Sequence, residues 1–132
     1  MRLTVTLKRA YDPPGRGDAP RVLVDRVWPR GVSKERLKAV AWLKELGPST
    51  GLRKWFGHDP VRWQTFRARY RRELAAKGAL LEELAGYARQ GKLTLVFGAR
   101  DPLHNQAVVI KEMLERERGR TRRARPVRGK TR

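Results

Sequence analysis

Three groups of polar residues could do chemistry in this chain, and each follows an apolar run. Asp25-Arg26-Val27-Trp28-Pro29-Arg30-Gly31 leaves Val22-Leu23-Val24. Pro48-Ser49 leads into Leu52-Arg53-Lys54-Trp55-Phe56-Gly57-His58. Arg100-Asp101, with His104-Asn105, leaves Leu93-Thr94-Leu95-Val96-Phe97. A carboxylate that ends an apolar strand is partly buried and needs a partner, which Arg26 or Arg30 is placed to supply. Asp25 therefore reads either as half of an internal ion pair fixing the Trp28-Pro29 loop, or as a general base or ligand-orienting group. Arg30, Lys34 and Arg53 have the types of a phosphate or carboxylate clamp, because cationic side chains bind such anions and Gly31 and Gly57 let backbone approach.

The third group pairs a carboxylate with a histidine, a familiar acid–base device, at the start of a helix whose free N–H groups favour anions. The plainer alternative has Asp101 capping that helix and His104 exposed in its first turn. His58 is either a ligand contact or a residue packing beside the Asp59 cap. Trp55 and Phe56 would stack a base or sugar, or else plug the core. The candidate catalytic set is Asp25, Asp101 and His104; the candidate ligand-binding set is Arg26, Arg30, Lys34, Arg53, Trp55, His58 and Asn105. Gly-x-Ser-x-Gly, Walker, Rossmann and zinc spacings are all missing, and Ser33 and Ser49 lack an adjacent base. With no cysteine and two histidines, neither a metal site, a cofactor nor covalent catalysis is expected.

These groups must be held by regular elements. Leu3-Thr4-Val5-Thr6-Leu7 alternates apolar and polar, predicting a strand with one buried face. Arg21 to Asp25 predicts a short central strand buried on both faces, after a Pro- and Gly-rich loop over Asp12 to Asp18. Ser33 predicts the cap of a short helix. Ala39 to Leu46 is open between helix and strand, with strand preferred. Asp59-Pro60 starts a long helix whose stripe is Trp63, Phe66, Tyr70 and Leu74, continuing through Leu81, Leu84 and Ala88 after a kink or break at Gly78. Leu93 to Phe97 predicts a strand, and Ala107, Ile110 and Leu114 a last helix. Alternating strands and helices predict a small α/β domain over residues 1–115, with a mainly parallel sheet of about four strands and flanking helices. In such sheets ligands bind beyond the carboxyl ends of the strands, where all three polar groups fall.

The 132 residues suit a single domain, and a 39% hydrophobic content with four tryptophans is enough for a packed core. The formal charge is +19, and residues 116–132 hold nine Lys or Arg against one acid, Glu117, predicting a disordered basic tail. Such a surplus suits polyanions, through counterion release. Arginine-rich codon usage with a solvated surface is the bland alternative. The apolar runs are too short to span a bilayer and the amino terminus lacks a signal-peptide cleavage region, so the expected location is cytoplasmic, without a membrane partner. Two uses follow: an enzyme or binding domain for an anionic small molecule of phosphate or nucleotide type, or a nucleic-acid-associated module acting through the basic body and tail.

Several stretches, in order and spacing, resemble the YeaO-like branch of a family known as a domain of unknown function, DUF488. They are Lys8 to Asp12, Arg21 to Gly31, Trp42 to Ser49, Leu52 to Pro60, Leu93 to Asp101 and His104-Asn105-Gln106-Ala107. The resemblance runs from about Leu3 to Leu114 and implies an α/β fold with a shared site; its pattern also favours a strand over Ala39 to Leu46. In related members outside this branch a Cys-His-Arg-type motif follows the last strand. His104-Asn105 stands there in this chain, so thiol chemistry does not carry over. Gly47 and Gly98 look like departures from a more usual alanine that disturb no polar group.

Overall fold

The computed structural model describes residues 3–18 and 20–116; residues 117–132, which hold nearly all of the expected basic tail, lie outside it. Four strands form the sheet: β1 (Val5–Arg9), β2 (Arg21–Leu23), β3 (Ala41–Trp42) and β4 (Leu93–Phe97). All pairings are parallel, in the order β1-β4-β2-β3. β4 is buried along its whole length because it lies between β1 and β2, pairing Val5 with Leu93 and Leu23 with Val96. The small parallel α/β fold is thus as the patterning predicts.

The two faces are covered unequally. Val22, Val24, Leu93, Leu95 and Phe97 join the larger core with residues from four helices: α2 (Thr50–Phe56), α3 (Trp63–Ala75), α4 (Gly78–Arg89) and α5, formed by residues 106–116. Leu23 and Val96 point the other way, into a small cluster with Ala10, Val32 and Leu37. Leu37 belongs to the single turn of α1 (Lys34–Leu37), which Ser33 caps by accepting from the Arg36 N–H at 3.0 Å.

Local chemistry explains the joints. Asp59 accepts from the Val61 N–H at 3.0 Å, Pro60 takes the first helical position, and one 3-10 turn leads into α3. The Ser49 hydroxyl caps α2 while donating to Glu73 at 2.6 Å, tying α2 to α3. Of the kink or break expected at Gly78, the structure has the break: α3 ends at Ala75 and α4 starts at Gly78.

The predicted strand over Ala39 to Leu46 shrinks to Ala41–Trp42. After Leu43 donates to the Leu23 carbonyl at 3.0 Å, a 3-10 turn over Lys44–Leu46 carries Leu46 into the core, where its carbonyl accepts from the Tyr70 hydroxyl. Burial of Leu46 outweighs extension of an edge strand. Among the described residues no helix is long and apolar enough to cross a membrane.

Candidate functional site at the strand carboxyl ends

Because β2 and β4 are parallel neighbours, their carboxyl ends lie side by side. Val24 still donates to the Val96 carbonyl at 3.1 Å, and Asp25, one residue on, meets Gly98, the first residue beyond β4, across the gap. The Gly98 N–H donates to Asp25 Oδ2 at 2.8 Å, and the Gln106 amide, from the first turn of α5, donates to Oδ1. The Asp25 carbonyl accepts from Trp42 Nε1 at 2.7 Å, and the Trp42 ring meets Trp28 edge-on at 5.3 Å. Burial of this carboxyl raises its pKa to about 6, against the opposing pull of the Gly98 bond, the Arg53 charge and the Gln106 bond.

Asp25 is therefore not the partner of Arg26 or Arg30. Arg26 turns away, donating to the carbonyls of Pro48 at 3.0 Å and Gly47 at 2.8 Å, with Glu45 3.7 Å off. A guanidinium satisfied by two carbonyls holds the α2 approach in place. The two glycines also touch polar groups, contrary to expectation. A Cβ at Gly98 would lie 2.8 Å from Asp25 Oδ2, and one at Gly47 would lie 2.7 Å from the Arg26 backbone nitrogen. Each glycine permits a close approach that alanine would obstruct.

The candidate ligand contacts divide around α2. Arg53 is exposed, and its charge acts on Asp25. Trp55 projects from the opposite flank, roughly 160° away at 100° per residue. There its ring lies 5.2 Å from the Arg62 guanidinium and 4.7 Å from that of Arg69. His58 is exposed with φ 58°, its ring tilted 6.1 Å from Phe56, where the chain turns toward the Asp59 cap. Arg30 and Lys34 are exposed. Arg30 follows Trp28 on the loop beside Trp42, while Lys34 opens α1.

Of the two roles its position suggested, Asp101 takes the pairing with His104 and not the helix cap, and His104 itself precedes the first turn of α5. Oδ1 accepts from the N–H groups of Leu103 at 2.8 Å and His104 at 3.1 Å, and Oδ2 lies 2.8 Å from His104 Nδ1. The His104 side-chain bond, and then the Leu103 N–H, hold this carboxyl below its usual range. The His104 ring stands edge-on to Trp63 at 5.1 Å, so Trp63 and Asp101 together fix its orientation. The cap of α5 is Asn105, not Asp101. Buried, it accepts from Ala107 at 2.9 Å and Val108 at 3.2 Å, and donates to the Asp101 carbonyl at 2.8 Å.

The residues that sequence reasoning missed are Gln106, Gly98 and Trp42. Gln106 had a faint signal: a polar residue beside the buried stripe of Ala107, Ile110 and Leu114, in the helical turn nearest the strand ends. Tyr11 is also at this rim, 4.0 Å from where a Gly98 Cβ would stand, with the Arg9 guanidinium 5.2 Å from its ring centre. Among the described residues no group of three or more His, Asp or Glu is placed to hold a metal ion.

A family model described as the inactive DUF488-N3 subclade matches residues 4–128. The uncharacterised protein YeaO of Escherichia coli is 41% identical over 112 residues, covering 85% of this chain and 97% of the relative. Uncharacterised proteins Rv3073c of Mycobacterium tuberculosis and Mb3100c of Mycobacterium bovis are each 36% identical over 110 residues, covering 83% of this chain and 92% of theirs. No solved structure matches significantly. With the match running from β1 through the strand-end loops and α5, the chain belongs to the DUF488 family, in its YeaO-like branch.

Proposed function

We propose that the strand-end site binds a small molecule bearing both an anionic group and a hydroxyl or amino donor, as a nucleotide or sugar phosphate does. The seat of Asp25 carries this reading. Each of its oxygens takes one donor from the protein, Gly98 or Gln106, which leaves lone pairs for a ligand donor. Arg53 supplies the cation for the anionic end, and Arg30 and Lys34, exposed in the segment that follows β2, are further cations available to it. A lone anion is repelled by Asp25. A ligand that presents a donor to Asp25 and its charge to Arg53 is not.

A carboxyl raised to about 6 is held at a cost to stability that asparagine would avoid, and residues kept at such a cost concentrate at functional sites. The same features suit proton transfer, with Asp25 as base and the Asp101–His104 pair as relay. Binding is the reading we favour, because the matching subclade is described as inactive and this chain has no cysteine for the Cys-His-Arg-type motif of related members outside the branch.

A thermal-shift screen of nucleotides and sugar phosphates tests the proposal. A hit should lose at least 10-fold in affinity in Arg53→Gln, and comparably in Asp25→Asn, the removal of one charged contact being worth roughly 1.5–3 kcal/mol. A library that shifts neither the wild type nor any variant would sink it, as would hits indifferent to both substitutions.

A further inference from the structure

The far flank of α2 and the outer face of α3 carry a second arrangement that the strand-end site does not use. Residues 50–76 contain Arg53, Lys54, Arg62, Arg67, Arg69, Arg71 and Arg72 against only Asp59 and Glu73. Glu73 is turned inward, accepting from the backbone and hydroxyl of Ser49. Arg67 and Arg71 lean to the other side of α3 and share Glu112 of α5, at 2.8 and 3.1 Å. The remaining cations are differently placed. Arg62 has only Asp59, 3.9 Å away and half-exposed, and among the described residues no carboxylate lies within ion-pair distance of Lys54, Arg69 or Arg72.

These cations are also ordered. Arg62, in the 3-10 turn that leads into α3, and Arg69, two turns into the helix, both face Trp55, and Arg72 follows on the next turn. Both Arg62 and Arg69 rest against the Trp55 ring, and Arg62 also donates to the Trp55 carbonyl. Trp55 thus limits the freedom of two guanidiniums that would otherwise wave in water, so less entropy is lost when they engage a partner. From Arg62 to Arg72 the row spans roughly 15 Å at 1.5 Å per residue. One phosphate cannot touch all of it, whereas the backbone of a nucleic-acid strand, a line of charges, can.

We propose that this α2–α3 face is a sequence-independent docking surface for the phosphate backbone of single-stranded nucleic acid, with Arg62, Arg69 and Arg72 as phosphate contacts and Trp55 as the residue that positions the first two. It stands apart from the strand-end site and does not depend on it.

Binding of the full chain to a labelled oligothymidylate, followed by fluorescence anisotropy across a salt series, tests the surface. Arg69→Gln with Arg72→Gln should lower the salt slope by about 1.4 and weaken binding roughly 10- to 30-fold near 0.1 M salt, each single-strand phosphate contact contributing about 0.7 to the slope. Arg67→Gln with Arg71→Gln removes the same charge from the same helix, but from residues already paired with Glu112, and should leave the slope within a few tenths. Trp55→Ala removes no charge yet should weaken binding roughly 3- to 10-fold through the freed guanidiniums. Thermal melts of each variant confirm folding. Equal losses in the two arginine pairs would reduce the effect to bulk charge and overturn the proposal. So would a wild-type slope in the Arg69/Arg72 variant, or capture by phosphatidylserine vesicles through these arginines without oligonucleotide binding.

Discussion

Asp25 and Asp101 follow neighbouring parallel strands, two residues beyond Leu23 and four beyond Phe97, yet their carboxyls are perturbed in opposite directions. Asp25 sits in the gap between strand ends, where lost hydration outweighs two hydrogen bonds and the Arg53 charge, and its pKa rises to about 6. Asp101 stands at the rim with its hydration kept, so its bonds to His104 and Leu103 decide and its pKa falls. Both accept backbone N–H groups. What separates them is water, and two residues of extra chain decide how much of it each keeps.

The largest expected effect is at Asp25. Its folded-state pKa is raised, so the native protein holds the proton more tightly than the unfolded chain does. The associated stability is complete below the unfolded value of 3.8 and is lost as pH rises through about 6. The loss is on the order of 3 kcal/mol for roughly two pKa units. Asp25→Asn, whose amide can still accept from Gly98 if the Gln106 amide flips, should stabilise the protein at pH 8 by about 1–3 kcal/mol and flatten its stability between pH 4 and 6. Urea unfolding across that pH range measures both; a destabilised variant with unchanged pH dependence would place the charge elsewhere.

Gly98→Ala should come next. Its Cβ would stand 2.8 Å from Asp25 Oδ2, forcing the carboxylate out of its seat or the strand ends apart. Destabilisation of about 1–3 kcal/mol is expected from overpacking, together with a fall in the Asp25 pKa as the displaced carboxyl regains water. Carbon-13 NMR of the aspartate carboxyls would follow that pKa directly.

The rim should respond least, and with opposite sign. Asp101 has a lowered pKa, so its contribution is present above the unfolded value of 3.8 and is lost as pH falls through the folded value. Asp101→Asn should lower the melting temperature slightly at pH 7, free the His104 ring, and leave the stability change between pH 4 and 6 intact. A rim variant that abolished that change would erase the contrast between the two carboxyls.

Much of this was legible in the residues themselves. Leu93 to Phe97 is apolar and β-rich enough to be a strand in any setting, and Asp59-Pro60 starts a helix by local bonds alone. The placing of Asp25 beyond an apolar strand was likewise readable from its neighbours. Its partners were not. Arg26 and Arg30 are close in sequence, but Gly98 and Gln106 reach Asp25 from 73 and 81 residues away, across a pairing that no local pattern encodes. Trp55 and Arg53 show the same limit. Two residues apart, they read as one cluster, but a helix sends them to opposite flanks. The strand preferred over Ala39 to Leu46 was cut to two residues because Leu46 is worth more in the core than at a sheet edge.

Sequence alone determined most of the element types, the caps at Ser33 and Asp59, the basic excess and the gathering of polar residues just past apolar runs; α2 and its Ser49 cap were not read from it. What it determined follows from interactions within a few residues, which a linear pattern records. Tertiary structure decided the strand order, which donors meet Asp25, and which arginines Glu112 neutralises and which stay unpaired. Those depend on contacts between distant segments and on how much water each contact excludes, and both come into being only when the chain has closed on itself.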